Sequence, residues 1–425
     1  MKFFIKTFGC ALNRSDSELM REILISRGFE EIDNLENADV IIVNTCTVRK
    51  DSDQKAIEYI EKVKQLNKNS KIVVAGCIPG SQPYLIKSRF PDAVLISPYE
   101  TNRIVDAIFY ETDFLGYEEF KRYNVPIVKT GNIAIVPLND GCLSNCNFCI
   151  TKVARRRLLS RMPKVILKAI KDLVENGVYE IQLSSQDASV YGIDFKGRPL
   201  LPDLVETINQ EIKGEYMLRI AMMNPDGVKK DLENFVKIFE YEHVFKFLHL
   251  PIQSGDDEVL KIMGRDYSIE DALYVVNEFR SRIKDLRIAT DIIVGHPGES
   301  EEAFENTLKV VVSGLFDRVH IAQYTPRPFT LSARMPQISD SVKKKRSSLL
   351  KEELEKVLNK KMEKYVGKII EGVVVEKDEK RESYIARTKN YISIVLKGGK
   401  KVSLGMKVNI EITDYTPYDL RGIAL

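Results

Sequence analysis

The stretch from residue 133 to residue 149 reads IAIVPLNDGCLSNCNFC. It opens with a strand-length apolar run, Ile133–Pro137, turns at Asn139-Asp140-Gly141, and then presents Cys142, Cys146 and Cys149. A loop with this spacing can curl so that three thiolates converge. Thiolates are the ligands of iron–sulfur clusters, and a four-iron cube has four corners. Three cysteines leave one corner open, and an open coordination position is what metal-centred catalysis requires. Structural zinc is the alternative, but no cysteine follows Cys149 and all four histidines lie later in the chain, so no fourth ligand is a sequence neighbour.

Outward from this loop, apolar strands alternate with amphipathic helical patterns. Six strands are expected: Ile133–Pro137, Tyr179–Ser184, Met217–Met222, Val244–His249, Arg287–Val294 and Arg318–Gln323. Six βα units predict a partial (β/α)6 barrel with its chemistry at the carboxyl ends of the strands. Toward the N-terminus, Lys2–Thr7, Asp39–Asn44, Lys71–Ala75 and Ala93–Ile96 are short and nearly continuous apolar strands. They are separated by helical segments, the first expected over Asp16–Arg27 and opened by Ser15 or Asp16. This pattern predicts a doubly wound parallel sheet. Cys10, Cys46 and Cys77 each sit just past one of these strands. The carboxyl ends of such strands share one crevice, so the three cysteines predict a second three-thiol site. Taken alone, they could equally be buried free cysteines. Residues 112–130 show no clear period and read as a linker.

Toward the C-terminus, Ser339–Tyr365 reads as one long helix with Leu350, Leu354, Val357 or Leu358, Met362 and Tyr365 repeating at helical spacing. Five period-two strands follow within about sixty residues, predicting a small antiparallel β-barrel. Residues 360–425 hold fourteen Lys and Arg against nine Asp and Glu, whereas the whole chain of 425 residues is only +3. That local excess suits RNA phosphates. The run Lys343–Arg346 is expected to be the solvated start of a helix. Lys152, Arg155, Arg156, Arg157 and Arg161 form a second basic run, suggesting phosphate contact.

Hydrophobic residues make up 44% and charged residues 29%, a globular composition that argues against disorder. No apolar run approaches the ~20 residues that span a bilayer. The N-terminal MKFFIKTFGC lacks the pattern of a signal peptide. A cytoplasmic protein without membrane association is expected.

The CLSNCNFC motif, with Phe148 before the last cysteine, resembles the cluster loop of radical S-adenosylmethionine (SAM) enzymes. Together with TFGCALNRSDSE, VNTCTVR and AGCIPG around Cys10, Cys46 and Cys77, the chain resembles the radical-SAM methylthiotransferase family through all its parts. The resemblance implies a methylthiotransferase domain over 1–111, a linker over 112–130, a radical-SAM core over 131–358 and an RNA-binding TRAM barrel over 359–425. It also implies two 4Fe–4S clusters, one on Cys142, Cys146 and Cys149 that generates a radical from SAM, and an auxiliary one on Cys10, Cys46 and Cys77 that presents sulfur.

Further segments carry the same likeness. Ser184, Ser185, Gln186 and Asp187 occupy the place of the family segment that holds the SAM amino group. Gln253 and Ser254 of HLPIQSG, and Gly295 of DIIVGHPGE, match segments around its ribose and adenine. YTPRPFT (Tyr324–Thr330) resembles Tyr-x-x-Arg-Pro-Gly-Thr, except that Phe329 replaces the glycine, which bears on the shape of that loop.

GCIPG, ITKVARRR, SSQDASVYG and RIAMMNPDG resemble the archaeal and eukaryotic branch. That branch adds a methylthio group to C2 of N6-threonylcarbamoyladenosine beside the anticodon, at position 37 of tRNA. Alternatives within the family are the isopentenyladenosine enzyme and the ribosomal-protein aspartate enzyme. Outside it, a non-catalytic iron–sulfur RNA-binding regulator would need the cysteines and the basic barrel but not the SAM-cradling segments. The implied partners are tRNA, a sulfur donor, and an electron donor such as a flavodoxin or ferredoxin.

Overall fold

The computed structural model describes all residues except 49, 379–382 and 400. The chain forms two compact units. The first comprises 1–128, 136–166 and 325–334, and the second 129–135, 167–324 and 335–425.

The first unit is built on a five-stranded sheet in the order Glu30–Glu31, Lys2–Thr7, Val40–Thr45, Lys71–Gly76, Val94–Ile96. Every neighbouring pair is parallel. Consecutive strand residues point to opposite faces, and both faces are covered. Ile41, Val43 and Val74 belong to one apolar core, and Val40, Ile42 and Val73 to the other. That is why these strands read as continuous apolar runs.

The first helix begins earlier than the sequence suggests. It runs Ala11–Ser26 with Cys10 as its N-cap, so Ser15 and Asp16 lie inside it and are buried. Asp16, which looks like a cap residue, is used instead for buried ion pairs with Lys121 and Arg155, both distant in sequence. The segment 112–130 is also more ordered than expected: it holds a short 3-10 helix, Phe120–Tyr123, and the strand Val128–Thr130, and Lys121 is buried.

The second unit carries most of the barrel strands in the expected order. Met217–Arg219, Glu180–Ser184 and Ile133–Pro137 are consecutive in one sheet, and Phe247–His249, Arg287–Val294 and Arg318–Gln323 form another. A parallel bridge between Leu218 and Val244 joins the two. Among the described residues Arg318–Gln323 pairs only with Arg287–Val294 and is an edge.

The helix Asp340–Glu363 buries Leu350, Leu354, Met362 and, of the two alternatives, Leu358, and it ends before Tyr365. Lys343 and Arg346 of its basic start are buried as well, rather than solvated. Arg346 donates to Glu299 at 2.7 Å and Glu301 at 2.9 Å.

The last five strands close into a barrel. The expectation of a wholly antiparallel barrel needs one correction, since Ser393–Gly399 pairs parallel with Leu420–Ala424. The turn after Arg387 anchors this barrel beneath the larger one. Arg387 pairs with buried Glu180 at 3.0 Å, the Tyr391 hydroxyl reaches Glu180 at 2.9 Å, and the Tyr391 ring lies 4.7 Å from Phe247 and 4.9 Å from Phe245.

Candidate active site

Both cysteine triads lie in the first unit. Cys10 caps the helix Ala11–Ser26, Cys46 follows the strand Val40–Thr45, and Cys77 begins the turn of helix after Lys71–Gly76. Glycines let these three strand ends converge. Gly9 (φ +120°) approaches Cys46 so closely that a Cβ on it would lie 2.6 Å from the Cys46 Cβ. Gly76 (φ +94°) would place a Cβ 2.2 Å from Asn44 Oδ1. Both positions need a residue without a side chain.

Asn13 sits among the thiols. It accepts from the Cys10 thiol at 3.3 Å, and its Nδ2 donates to the Thr45 carbonyl at 2.8 Å and points toward Cys77 Sγ at 3.9 Å. Asn44 holds Asn13 in turn, donating to its carbonyl at 2.7 Å. Burial pushes the Cys77 thiol up to about 12 and raises that of Cys46, with the Arg155 guanidinium acting against burial at both. The three sulfurs also interact electrostatically with one another. Three softly ligating, mutually close thiols with a cation and an amide beside them fit a cluster that carries net negative charge.

The second triad lies on the loop that follows Ile133–Pro137. Cys149 caps the short helix Ile150–Ala154, and its N–H donates to the Cys146 carbonyl at 3.2 Å. The Ser144 N–H points at Cys142 Sγ from 3.4 Å, and Lys152 Nζ donates to the Cys142 carbonyl at 2.8 Å. The Thr151 and Lys152 N–H groups approach the Cys149 sulfur and favour its thiolate, against the larger effect of burial. Backbone donors aimed at sulfur suit a thiolate-bound cluster.

The two loops are tied together by five buried charges, four of which sequence reasoning assigned to other roles and one of which, Lys121, it missed. Asp16 pairs with Lys121 and Arg155. Asp140 pairs with Arg155, with Arg161 at 3.0 Å and with Lys121 at 3.8 Å. None of these side chains is more than 2% exposed. Burial works against the Asp140 carboxylate, but its three cationic neighbours hold it well below the usual carboxylate range. Arg155 and Arg161 are therefore structural ions, and the phosphate-contact expectation fails for them. In the rest of that run Arg156 and Arg157 are exposed, and Arg157 stacks on Tyr117 at 4.6 Å.

The loop Thr325–Arg334 completes the unit. Arg327 is buried and donates to Asp53 and, at 2.9 Å, to Thr47 beside Cys46. Phe329 adopts φ +65°, the left-handed conformation a glycine favours, with its exposed ring edge-on to Tyr84 at 6.0 Å.

The remaining predicted residues lie on the second unit. Ser184 ends its strand and Gln186 is half-buried. Ser185 Oγ accepts from the Asp187 N–H at 2.9 Å. The Asp187 carboxylate accepts from Ser189 N, Ser189 Oγ and Asn224 N at 3.0, 2.6 and 3.1 Å, which ties two strand-end loops together. Gln253 has φ +68° and exchanges backbone hydrogen bonds with the strand Arg287–Val294. Ser254 is fully buried, 3.3 Å from Thr307 Oγ1. Gly295 (φ +74°) has no room for a side chain, because a Cβ would meet Lys343 at 2.4 Å. Asp187 and Ser254 thus shape these loops through the backbone, while Ser184, Gln186 and Gln253 stand at the strand ends.

A cavity of about 500 Å³ lies between the helix Asp340–Glu363, the large barrel and the small one. Arg280, Arg287, Lys361, Lys364 and Lys368 line it against Asp285 and Asp317.

Comparison with known proteins matches the three parts. Residues 2–97 match the uncharacterized protein family UPF0004, 136–311 the radical SAM superfamily, and 363–425 the TRAM domain. The chain is 34% identical to the probable threonylcarbamoyladenosine tRNA methylthiotransferase of Methanocaldococcus jannaschii, covering 99% of this chain and 96% of that protein. It belongs to the radical-SAM methylthiotransferase family. A second member, the tRNA-2-methylthio-N(6)-dimethylallyladenosine synthase of Aquifex aeolicus, is 33% identical over 99% of this chain and 98% of that protein. Among solved structures, a radical SAM methyltransferase from Kitasatospora setae shares the fold, with a TM-score of 0.62 at 12% identity over 78% of this chain and 77% of that one. As a family member the chain is an enzyme whose cofactors are 4Fe–4S clusters and SAM. No helix among the described residues is long and apolar enough to cross a membrane.

Proposed function

We propose that this enzyme replaces the C2 hydrogen of N6-threonylcarbamoyladenosine, beside the anticodon of tRNA, with a methylthio group. Two three-thiol sets in one compact unit, joined by a buried ion pair, carry the reading. Cys142, Cys146 and Cys149 would hold the cluster that binds SAM, and Cys10, Cys46 and Cys77 the auxiliary one. When bound, these groups supply the electron that cleaves the sulfonium and an open iron that carries sulfur. The protein's part is to fix the thiols, to bury Cys46 and Cys77, and to offset the charge of the auxiliary set through Arg155. Ser184, Ser185, Gln186 and Asp187, with Gln253, Ser254 and Gly295, form or shape the SAM cradle at the strand ends. The domains are taken as 1–111, 131–358 and 359–425, with 112–130 linking the first two.

The choice of substrate branch follows the full-length likeness to archaeal enzymes named for threonylcarbamoyladenosine. The basic cavity beside the small barrel supports an RNA substrate through phosphate contacts. A flavodoxin or ferredoxin would supply the electron, and a separate donor the sulfur.

Mass spectrometry of tRNA nucleosides from cells with and without the gene tests the reading. Loss of 2-methylthio-N6-threonylcarbamoyladenosine is expected. Loss of the methylthio-isopentenyl nucleoside alone would assign the other branch.

A further inference from the structure

The inner wall of the large barrel carries charge that the proposed chemistry leaves unused. Register places Arg219 beside Gln182 and Asp291 beside His320. His249, on the next strand, lies with Nε2 3.2 Å from the Asp291 carboxylate. The ligating atoms of His249, Asp291 and His320 fall within 4.8 Å of one another. In isolation such a set suits a divalent metal. Its surroundings do not. Burial disfavours a proton on His320, Asp291 favours it, and Arg318 and Arg219 oppose it, so a metal ion would meet two arginines beside its one carboxylate.

The acidic groups here already have partners. Glu180 is paired with Arg387 and bonded by Tyr391, and Asp291 is hydrogen-bonded to His249. Arg219 and Arg318 have no ion-pair partner among the described residues. The Nε of Arg219 is buried without a hydrogen-bond partner, while its guanidinium is held 5.6 Å from the Phe247 ring centre and 6.0 Å from that of Tyr391. A planar cation fixed against aromatic walls has surrendered much of its freedom before any ligand arrives. Arg318 and His320 are exposed on the edge strand, so the wall opens to solvent. His249 and Asp291 stand four residues before Gln253 and Gly295, which places this wall below the strand ends of the SAM cradle.

We propose that Arg219 and Arg318 form a carboxylate-binding subsite that takes the threonyl carboxylate of N6-threonylcarbamoyladenosine. The inference rests on the substrate proposed above. Arginine matches a carboxylate with paired donors, whereas an isopentenyl group would leave both guanidiniums without an anion.

The test uses the reconstituted enzyme and anticodon stem-loops carrying either the threonylcarbamoyl acid or its methyl ester. The readout is the ratio of kcat/KM for acid over ester. Wild type is expected to favour the acid by about 10- to 100-fold, the range for charge-assisted hydrogen bonds. Arg219→Gln and Arg318→Gln should each bring the ratio toward one, and Arg219→Lys should recover part of it. Arg318 is exposed, so its variant is not at risk of failing to fold. Variants that keep the wild-type ratio, or a wild type that modifies both stem-loops equally, overturn the proposal while leaving the substrate assignment intact. A wild type that modifies neither stem-loop overturns the substrate assignment, and the subsite with it. One equivalent of zinc held by the holoenzyme and lost in His320→Ala would identify a metal site instead.

Discussion

Asp16 and Arg155 form a buried ion pair that joins the helix beginning after Cys10 to the loop carrying Cys149. Each stands six residues beyond its cysteine. Arg155 also acts electrostatically on Cys46 and Cys77, so one guanidinium is shared between the supports of both triads.

Removing one anion from this group should be costly. Asp140→Asn leaves Lys121 and Arg155 with Asp16 alone and removes the carboxylate that Arg161 pairs with, and breaking a buried pair typically costs about 3–5 kcal/mol. A large drop in thermal midpoint is expected by calorimetry. A change within the error of wild type would show that these ions are hydrated in solution.

Alanine at Cys10, Cys46 and Cys77 together should lower bound iron from about eight to about four per chain. Formation of 5′-deoxyadenosine from SAM should persist while methylthiolation stops. If SAM cleavage stopped as well, with the fold intact by circular dichroism, the division of labour between the two triads would be wrong.

Gly76→Ala should damage the auxiliary site without touching a ligand. At φ +94° an added Cβ is strained by about 1–2 kcal/mol, and it would also meet Asn44 at 2.2 Å. Lower iron content with the Cys142 site retained is the expected result, measured by metal analysis and electron paramagnetic resonance.

His296 is fully buried, and burial lowers its pKa to about 4. Its unfolded value is near 6.5, so the unfolded chain binds the extra proton first as pH falls. Stability should therefore decline from pH 6.5 toward pH 4, by up to about 3 kcal/mol from this group. His296→Gln should lose less stability than wild type between pH 7 and pH 4.5 in urea titrations.

Lys364→Glu with Lys368→Glu should weaken tRNA binding. The slope of log affinity against log salt should fall by about 1 for each phosphate no longer neutralised. An unchanged slope, measured by filter binding, would remove the cavity between the barrels from the RNA interface.

Much of this was legible in the residue order. The six barrel strands, the strand-end positions of all three N-terminal cysteines and the apolar face of the helix Asp340–Glu363 follow from local periodicity. The buried ions do not. Lys121 sits in a stretch without period, and Arg155, Arg161, Lys343 and Arg346 sit in basic runs that look solvated. Lys343 pairs locally with Asp340, but the others reach across the chain, Asp16 being 105 residues from Lys121 and 139 from Arg155, and Glu299 47 from Arg346. Pairing at such separations leaves no local pattern. The same holds for Ser15 and Asp16, which resemble helix openers because short polar side chains favour caps, yet are buried here. Phe329 is the converse case: it replaces the motif's glycine yet holds the positive φ that a glycine favours.

The seating of Tyr391 and Arg387 against Glu180, Phe245 and Phe247 has a practical consequence for truncation. A chain cut before Ile369 would lose more than its grip on RNA. It would strand a buried carboxylate at Glu180 without its cation and wet two phenylalanines at the floor of the large barrel. Such a shortened protein would report on a disturbed catalytic chamber, so single charge reversals are the cleaner way to separate tRNA capture from chemistry.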